Sequence, residues 1–241
     1  MKIKQKIMNF YFSNQRKIIN SSLLLPLPVS KWLYSFFITF IRKDVRHSYF
    51  KKAFQSISKS VIDGDYLEFG VFQGSSFMMS YKLSRKYQLN KMRFFAFDSF
   101  AGLPNSEGIT YKKDEFNCSY ELFMKIITKA GINVDKVLPI KGMYDTSLVN
   151  DVKVKHSLRK ASIVHIDCDL YTSTKKALEF VENLVVPGTI LIFDDWYCFR
   201  NKGENLEEYG EVKAFNEWNL KQKFMEFYDI SGRSKAFIMT N

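Results

Sequence analysis

Three aspartates in the sequence directly follow two apolar runs. Asp167 ends the run 162–166, and Asp194 and Asp195 end the run 189–193. If these runs are neighbouring parallel strands, their carboxyl ends meet at one edge of the sheet, where ligands bind. Three crowded carboxylates repel one another unless a cation lies between them, and an oxygen-only set favours magnesium over zinc. The pattern predicts a catalytic metal site; the alternative is solvated loop acids.

A glycine-containing turn provides the second candidate site. Glu68 ends an apolar run, Gly70 permits a tight turn, Gly74 permits close approach of a ligand, and Ser75 or Ser76 can cap the following helix. The helix N-terminus offers amide donors to an anion, and Glu68 could hold an ammonium. The methionine part of S-adenosylmethionine carries both charges, whereas the G-x-G-x-x-G spacing of dinucleotide sites is absent. A merely structural turn is the alternative.

A third acid, Asp98, ends the next apolar run along the chain. A carboxylate at the end of the second strand of a nucleotide-binding sheet can grip ribose hydroxyls. The alternative is an aspartate that caps its own loop.

The elements that must position these residues alternate between strands and helices from residue 61 onward. Such alternation predicts βαβ units in a doubly wound, mostly parallel, Rossmann-like α/β sheet. The predicted strands are 66–69, 93–98, 136–140, 162–167, 189–194, 224–229 and 235–239. The predicted helices are 75–89, 120–130 and 172–184.

Composition limits the possible classes of protein. The 241 residues suit one α/β domain with attachments, and 46% hydrophobic residues indicate a packed globular chain. The net charge of +11 favours anionic partners or reflects a biased genome, and no nucleic-acid recognition motif accompanies it. The three cysteines form no C-x-x-C pair, so a reducing cytoplasm is expected.

Residues 1–60 read as a basic, Phe-rich helical extension of a domain spanning 61–241. The segment 31–43 is expected to form a short helix packed on the domain or at a subunit interface, and a homo-oligomer is expected. A peripheral membrane contact is the alternative, because basic residues flank its aromatic residues. No apolar run is long enough to span a bilayer.

Several segments together resemble the macrocin O-methyltransferase family of class I methyltransferases, which act on sugar hydroxyls. The resemblance covers roughly residues 64–220, and residues 1–60 carry no comparable signature. The segments are LEFGVFQGSS, FAFDSFAGLP, IKGMYDTSL, VHIDCDLYTSTKKALE, and PGTILIFDDW followed by GEVKAFNEW.

The resemblance implies where cofactor, metal and acceptor bind. It implies S-adenosylmethionine at Glu68, Gly70, Gly74 and Asp98, with Ser99 and Phe100 beside it and the Gly142–Ser147 turn near the adenine. It implies magnesium at Asp167, Asp194 and Asp195, and Asp167 is also expected to contact the cofactor. Ser147 begins a departure from the family's usual Leu-Pro, which leaves that loop's shape open. The stretch 104–120 would be a lid, and 197–209 would face the acceptor.

The expected function is magnesium-assisted methyl transfer from S-adenosylmethionine to a sugar or glycan hydroxyl. A metal that orients and activates the hydroxyl suits this reaction, and Asp169 or Asp195 could act as a separate base. A catechol could serve as an alternative vicinal diol. A nicotinamide-dependent oxidoreductase and a non-catalytic glycan- or membrane-associated subunit are the readings from other classes.

Overall fold

Residues 45–219, 223–230 and 232–240 are described by the computed structural model of the chain. Within them lies one seven-stranded sheet with the order β3-β2-β1-β4-β5-β7-β6. Its strands are β1 Asp65–Phe69, β2 Phe94–Asp98, β3 Val137–Lys141, β4 Ala161–Ile166, β5 Ile190–Phe193, β6 Phe224–Ile230 and β7 Ser234–Met239.

The first five strands are parallel, and the last two make antiparallel pairs, β7 with β5 and β6 with β7. The chain order reverses direction at β1, whose neighbours are β2 and β4. In a doubly wound sheet this switch point opens a crevice beyond the carboxyl ends of the strands. The predicted doubly wound, mostly parallel α/β class is confirmed.

Helices cover both faces of the sheet. They are α1 Val45–Ile57, α2 Ser75–Lys86, α3 Tyr120–Lys129, α4 Tyr144–Ser147, α5 Asn150–Lys155, α6 Tyr171–Val181, α7 Cys198–Asn201 and α8 Gly210–Asn219. In the part of the chain that the structure describes, two short 3-10 helices occupy Val134–Lys136 and Leu206–Glu208. All seven predicted strands and three predicted helices are present with shifted ends, while α4, α5, α7 and α8 were not predicted.

Two apolar layers pack on opposite faces of the sheet because successive strand residues point to opposite sides. One layer joins Tyr66 of β1 to Phe77 of α2 and Phe123 of α3. The other joins Phe69 of β1 to Leu178 of α6 and Phe215 of α8. Since both faces are covered, the central strands are buried along their length.

Helix α1 belongs to the first layer although the sequence places it in the N-terminal extension. Tyr49, Phe50 and Phe54 of this helix are buried, and the ring of Phe54 stacks on that of Tyr66. This part of the predicted extension is therefore built into the domain core. The predicted helix at 31–43 lies outside the described residues, and the membrane and oligomer expectations stay predictions. Among the described residues, no helix is both long enough and apolar enough to cross a membrane.

Candidate active site

A cavity of about 360 Å³ opens beyond the carboxyl ends of β1, β2, β4 and β5. This size lies in the range of small-molecule sites. Its lining includes the turn after β1, the ends of β2 and β4, and the acids after β5. The lining residues are Arg46, Gly70, Val71, Phe72, Ser75, Ser76, Asp98, Ser99, Gly102, Leu103, Pro104, Tyr111, Phe116, Gly142, Met143, Tyr144, Asp167, Cys168, Asp169, Ser173, Asp194, Asp195 and Arg233.

The turn after β1 needs glycine for a steric reason. Gly70 has φ +85°, and a Cβ on it would lie 1.9 Å from the carbonyl oxygen of Asp167. The backbones of β1 and β4 therefore approach too closely for a side chain. Gly74, with φ +78°, precedes the first residue of α2, and Ser75 opens that helix toward the cavity. The predicted geometry of a tight turn leading into a helix N-terminus is present here.

Asp98 holds this turn through its own carboxylate. Oδ2 accepts hydrogen bonds from the backbone N–H groups of Val71 and Phe72 at 2.8 and 3.1 Å, and Oδ1 accepts one from Phe100 at 2.7 Å. Burial raises the pKa of Asp98, and these three donors oppose that rise. Asp98 thus lines the cavity and also holds the glycine turn in place. It lies where the sequence predicts a ribose-binding acid, and it also caps its own loop, which was the alternative.

The neighbours of Asp98 divide between the cavity and the core. Ser99 lines the cavity, while Phe100 is buried with its ring 5.5 Å from that of Phe123. Gly142 also lines the cavity, and its N–H donates to the carbonyl of Asp98 at 3.0 Å. Phe100 thus packs on Phe123 in the core, and its place beside the cofactor stays a prediction.

Glu68 lies behind the cavity and is not among its described lining residues. It is fully buried, and its carboxylate accepts hydrogen bonds from Tyr66 at 2.5 Å and from Ser76 at 2.6 Å. In the register of the sheet it pairs with His165 of β4. In this position the Glu68 carboxylate anchors Ser76 of α2, and its contact with a ligand ammonium stays a prediction. Gly74 is also absent from the described lining and acts through the turn.

Four aspartates face the other half of the cavity: Asp167, Asp169, Asp194 and Asp195. Burial raises the pKa of Asp167 well above its usual range, and Asp194 adds to the rise. Burial and then Asp195 raise the pKa of Asp169 in the same way. Acids that are buried together and disfavour one another's charge fit a site for a divalent cation.

Asp194 differs because cationic groups and donors surround it. Tyr49 donates a hydrogen bond of 2.6 Å to its Oδ1, Ser234 lies 3.2 Å away, and Arg46 lies 3.7 Å from Oδ2. Burial alone would raise the pKa of Asp194, but Arg46, and after it the other nearby cations, lower it to about 2. Asp194 is thus held ionised in one orientation.

The tightest group of possible metal ligands in the described chain is not the predicted one. One ligand atom each from Glu68, His165 and Asp167 lies within 4.8 Å of the others, whereas the three aspartates Asp167, Asp194 and Asp195 do not form such a group. Glu68 and His165 are fully buried and do not line the cavity. The structure places all three predicted aspartates on one cavity wall without bringing their oxygens to ligand spacing.

A family model described as macrocin O-methyltransferase matches residues 35–221. The chain belongs to this family. The predicted family is confirmed, and the match begins well before residue 64, so it includes α1. Membership of this family makes the protein an O-methyltransferase. The methyl donor of this family is S-adenosylmethionine.

The individual proteins to which this chain is similar share little sequence identity with it. Mycinamicin III 3''-O-methyltransferase from Micromonospora griseorubida is 23% identical over 175 residues, covering 68% of this chain and 66% of that protein. The chain thus spans about two thirds of that relative's length. CalS11, a calicheamicin methyltransferase, shares the fold with a TM-score of 0.66 and 17% identity, over 95% of this chain and 91% of its own. The O-methyltransferase NovP shares the fold with a TM-score of 0.65 and 18% identity, over 81% of this chain and 80% of its own.

Sequence reasoning missed several residues of this family member's site. Arg46 comes from α1 and Arg233 from the turn between β6 and β7, and both line the cavity. Tyr111 and Phe116 reach the cavity from the 103–117 loop. No local motif marks these positions; only the predicted lid at 104–120 indicated that this loop would face the site.

The 103–117 loop is fastened to two helices by one side chain. Glu107 accepts a hydrogen bond from the N–H of Tyr171, the first residue of α6, and another from the N–H of Gly210, the first residue of α8, each at 2.7 Å. Carboxylates are favourable at helix N-termini. The loop therefore covers the cavity in a defined position, with Tyr111 packed against Phe199 at 5.5 Å.

Proposed function

We propose that the protein transfers a methyl group from S-adenosylmethionine to a hydroxyl of a sugar, with the assistance of magnesium. One observation carries this proposal: a single cavity holds a glycine turn at a helix N-terminus on one side and four aspartates on the other. The first half suits a charged nucleoside cofactor, and the second suits activation of a weakly acidic hydroxyl.

The cofactor half fits S-adenosylmethionine. The turn at Gly70, the N-terminus of α2 at Ser75, and the cavity edge at Ser99 and Gly142 would surround it. When bound, this cofactor supplies an electrophilic methyl group, which the acceptor oxygen takes while S-adenosylhomocysteine leaves. Asp98 keeps the turn in shape through its backbone hydrogen bonds, and its remaining lone pairs would be free to accept hydrogen bonds from ribose hydroxyls.

The acidic half fits a magnesium ion held by Asp167, Asp194 and Asp195. When bound, the ion supplies positive charge that stabilises the developing charge on the acceptor oxygen. We prefer these cavity-lining acids to the tighter Glu68, His165 and Asp167 group. Glu68 and His165 are fully buried and are not among the described lining residues, so an acceptor in the cavity could not reach an ion that they held.

Asp169 is the best-placed group to accept the hydroxyl proton. It lines the cavity, is 8% exposed, and has φ +64°, a backbone conformation that is uncommon outside glycine. Burial and then the Asp195 carboxylate raise the pKa of the Asp169 carboxyl, so Asp169 holds a proton more strongly than a solvated aspartate does. Strained backbone of this kind clusters at functional sites. Asp195 is the alternative base.

A sugar is the acceptor class that the relatives favour. The family is named for the methylation of macrocin, and the relative from Micromonospora griseorubida is named for methylation at a 3'' position of mycinamicin III. In this chain the cavity lining combines the aromatic rings of Tyr111 and Phe116 with the two arginines Arg46 and Arg233. Such a wall can contact both the ring faces and the polar groups of a glycan or nucleotide sugar.

The proposal is tested with purified protein and a panel of nucleotide sugars, glycosides and catechol. S-adenosylhomocysteine release is measured with magnesium, with EDTA, and with magnesium restored. We expect release with a sugar, lost with EDTA and regained with magnesium, and loss of that release in Asp194→Asn with S-adenosylhomocysteine binding preserved. Turnover of catechol alone would replace the sugar by another vicinal diol. Turnover that persists in EDTA and in Asp194→Asn would remove magnesium from the mechanism.

A calorimetric titration with S-adenosylhomocysteine separates this enzyme from a non-catalytic subunit. One-to-one binding is expected. Absence of binding by folded protein would favour the non-catalytic reading.

A further inference from the structure

Glu211 places a fifth carboxylate directly behind the acidic wall. It is the second residue of α8, is 2% exposed, and is not among the described residues that line the cavity. Its Oε2 accepts a hydrogen bond from the backbone N–H of Asp195 at 3.0 Å. Its Oε1 is buried without a hydrogen-bond partner among the described residues.

This arrangement is costly for the fold alone. A buried carboxylate with an unpaired oxygen, next to other carboxylates, opposes folding, and an apolar or amide side chain would avoid the cost. Residues that break local rules in this way are expected where function requires them. The position of Glu211 in the first turn of α8 offsets only part of that cost through the helix dipole.

The hydrogen bond from Asp195 gives Glu211 something to position. Strand β5 is only four residues long, and Asp194 and Asp195 follow it directly. Asp194 is fixed by Tyr49 and Ser234. Asp195 is fixed at its carboxylate by the Cys198 thiol, with Sγ 2.8 Å from Oδ1, and at its backbone by Glu211. Each of the two adjacent acids therefore has its own buried support.

We infer that Glu211 is a positioning residue for Asp195, and that it acts through the Asp195 backbone to orient the carboxylate that would hold the divalent cation. This inference rests on the proposed metal site. Groups that orient metal ligands commonly change metal affinity by about 10–100-fold when they are removed. Glu211 itself does not contact the cavity, so its effect is on the cation and not on the cofactor.

The test measures Mn²⁺ binding, as a probe for Mg²⁺, by electron paramagnetic resonance on the full chain with S-adenosylhomocysteine present. Four variants are compared with the unaltered protein. Glu211→Ala removes the acceptor of the Asp195 N–H, Glu211→Gln keeps an oxygen that can accept it, and Glu211→Asp keeps the charge but shortens the reach. Glu217→Ala is the control, because it removes an exposed acid from the same helix.

We expect the Mn²⁺ dissociation constant to rise by about 10–100-fold in Glu211→Ala and Glu211→Asp, and to change by no more than about 3-fold in Glu211→Gln and Glu217→Ala. Calorimetric affinity for S-adenosylhomocysteine should be unchanged in all four. If Glu211→Ala fails to bind S-adenosylhomocysteine, the Asp and Gln variants decide the matter. Wild-type affinity in Glu211→Asp, or equal weakening in Glu211→Gln and Glu211→Asp, overturns the positioning role.

The proposed function fails in a different way. If the unaltered protein binds S-adenosylhomocysteine but no Mn²⁺, the metal site itself is wrong, and the inference falls with it. If the unaltered protein binds Mn²⁺ and Asp194→Asn does not, while both Glu211→Ala and Glu211→Asp bind as wild type, the metal site stands and the role of Glu211 alone is overturned.

Discussion

The hydroxyl of Tyr49 donates a hydrogen bond of 2.6 Å to Asp194, although 145 residues separate the two in sequence. Tyr49 lies on α1 and Asp194 directly follows β5. Arg46, one turn before Tyr49, adds a charge 3.7 Å from the same carboxylate. The helix before the sheet thus holds an acid at the centre of the candidate site, which ties α1 to the chemistry as well as to the core.

Replacing Tyr49 by Phe should separate these two contributions of α1. The ring remains packed on Phe50, but Asp194 loses a buried donor, so we expect the free energy of unfolding to fall by about 1–3 kcal/mol. Mn²⁺ affinity should fall as well, because the carboxylate is less firmly oriented. Urea unfolding and paramagnetic resonance measure the two effects. Tyr228→Phe, on a ring 6.4 Å from that of Tyr49, is the control and should leave Mn²⁺ binding unchanged.

The sheet could be predicted from sequence because its strands are short apolar runs ended by polar residues. β4 and β5 are buried at every position, so mostly apolar runs precede Asp167 and Asp194. The short helices α4 and α5 were missed because four and six residues are too few to establish a helical period. Both helices lie between β3 and β4 along the chain, and whether they form depends on how this segment packs after β3.

The site was predictable only where strand ends create it. Asp98, Asp167, Asp194 and Asp195 occupy one cavity because parallel strands deliver their carboxyl ends to the same edge. Glu68 was placed there too, but it lies one residue before the end of β1, where it faces a buried layer. Contributions such as those of Arg46 and Tyr111 come from distant segments, so nothing near them in the sequence indicates the cavity.

Replacing Asp169 by Asn should raise the free energy of unfolding and lower the turnover. The folded-state pKa of Asp169 is raised, by burial first and then by Asp195, so its ionisation opposes folding. This penalty is absent below the unfolded pKa near 4 and develops as pH rises toward the folded value. We therefore expect Asp169→Asn to be more stable than wild type in urea at pH 8 without metal, with the difference vanishing near pH 4. Asparagine also tolerates the positive φ.

The same Asp169→Asn variant should lose turnover by about 10²–10⁴-fold, because the amide cannot accept the hydroxyl proton. S-adenosylhomocysteine release with the acceptor found in the panel measures this loss. Activity close to wild type would assign the base elsewhere, with Asp195 as the next candidate.

Replacing Gly70 by Ala tests the close approach of β1 and β4. The new Cβ would lie 1.9 Å from the Asp167 carbonyl oxygen in a backbone with positive φ, so strands must separate. We expect a loss of more than about 3 kcal/mol of unfolding free energy and no measurable S-adenosylhomocysteine binding. Gly203→Ala shares a positive φ but meets nothing within 4 Å, so it should cost only about 1–2 kcal/mol and keep binding. Similar losses in the two variants would mean that backbone conformation alone requires glycine at position 70.

Replacing Glu107 by Ala should release the 103–117 loop from the two helices that it joins. Both carboxylate oxygens accept helix N-terminal amides, so their removal leaves Tyr171 and Gly210 without this partner and frees Tyr111 to leave the cavity. Hydrogen exchange followed by mass spectrometry should show faster exchange over 103–117 and at the first turns of α6 and α8, with a stability loss of about 1–2 kcal/mol.

Glu204→Ala provides the matched comparison for Glu107, because Glu204 contacts the same loop at Ile109 and Thr110 without capping a helix. Exchange in this variant should rise around 109–110 and stay at the wild-type rate in α6 and α8. If Glu107→Ala changes exchange no more widely than Glu204→Ala does, the loop is held by its packing against Phe199, and the paired hydrogen bonds of Glu107 contribute little to its position.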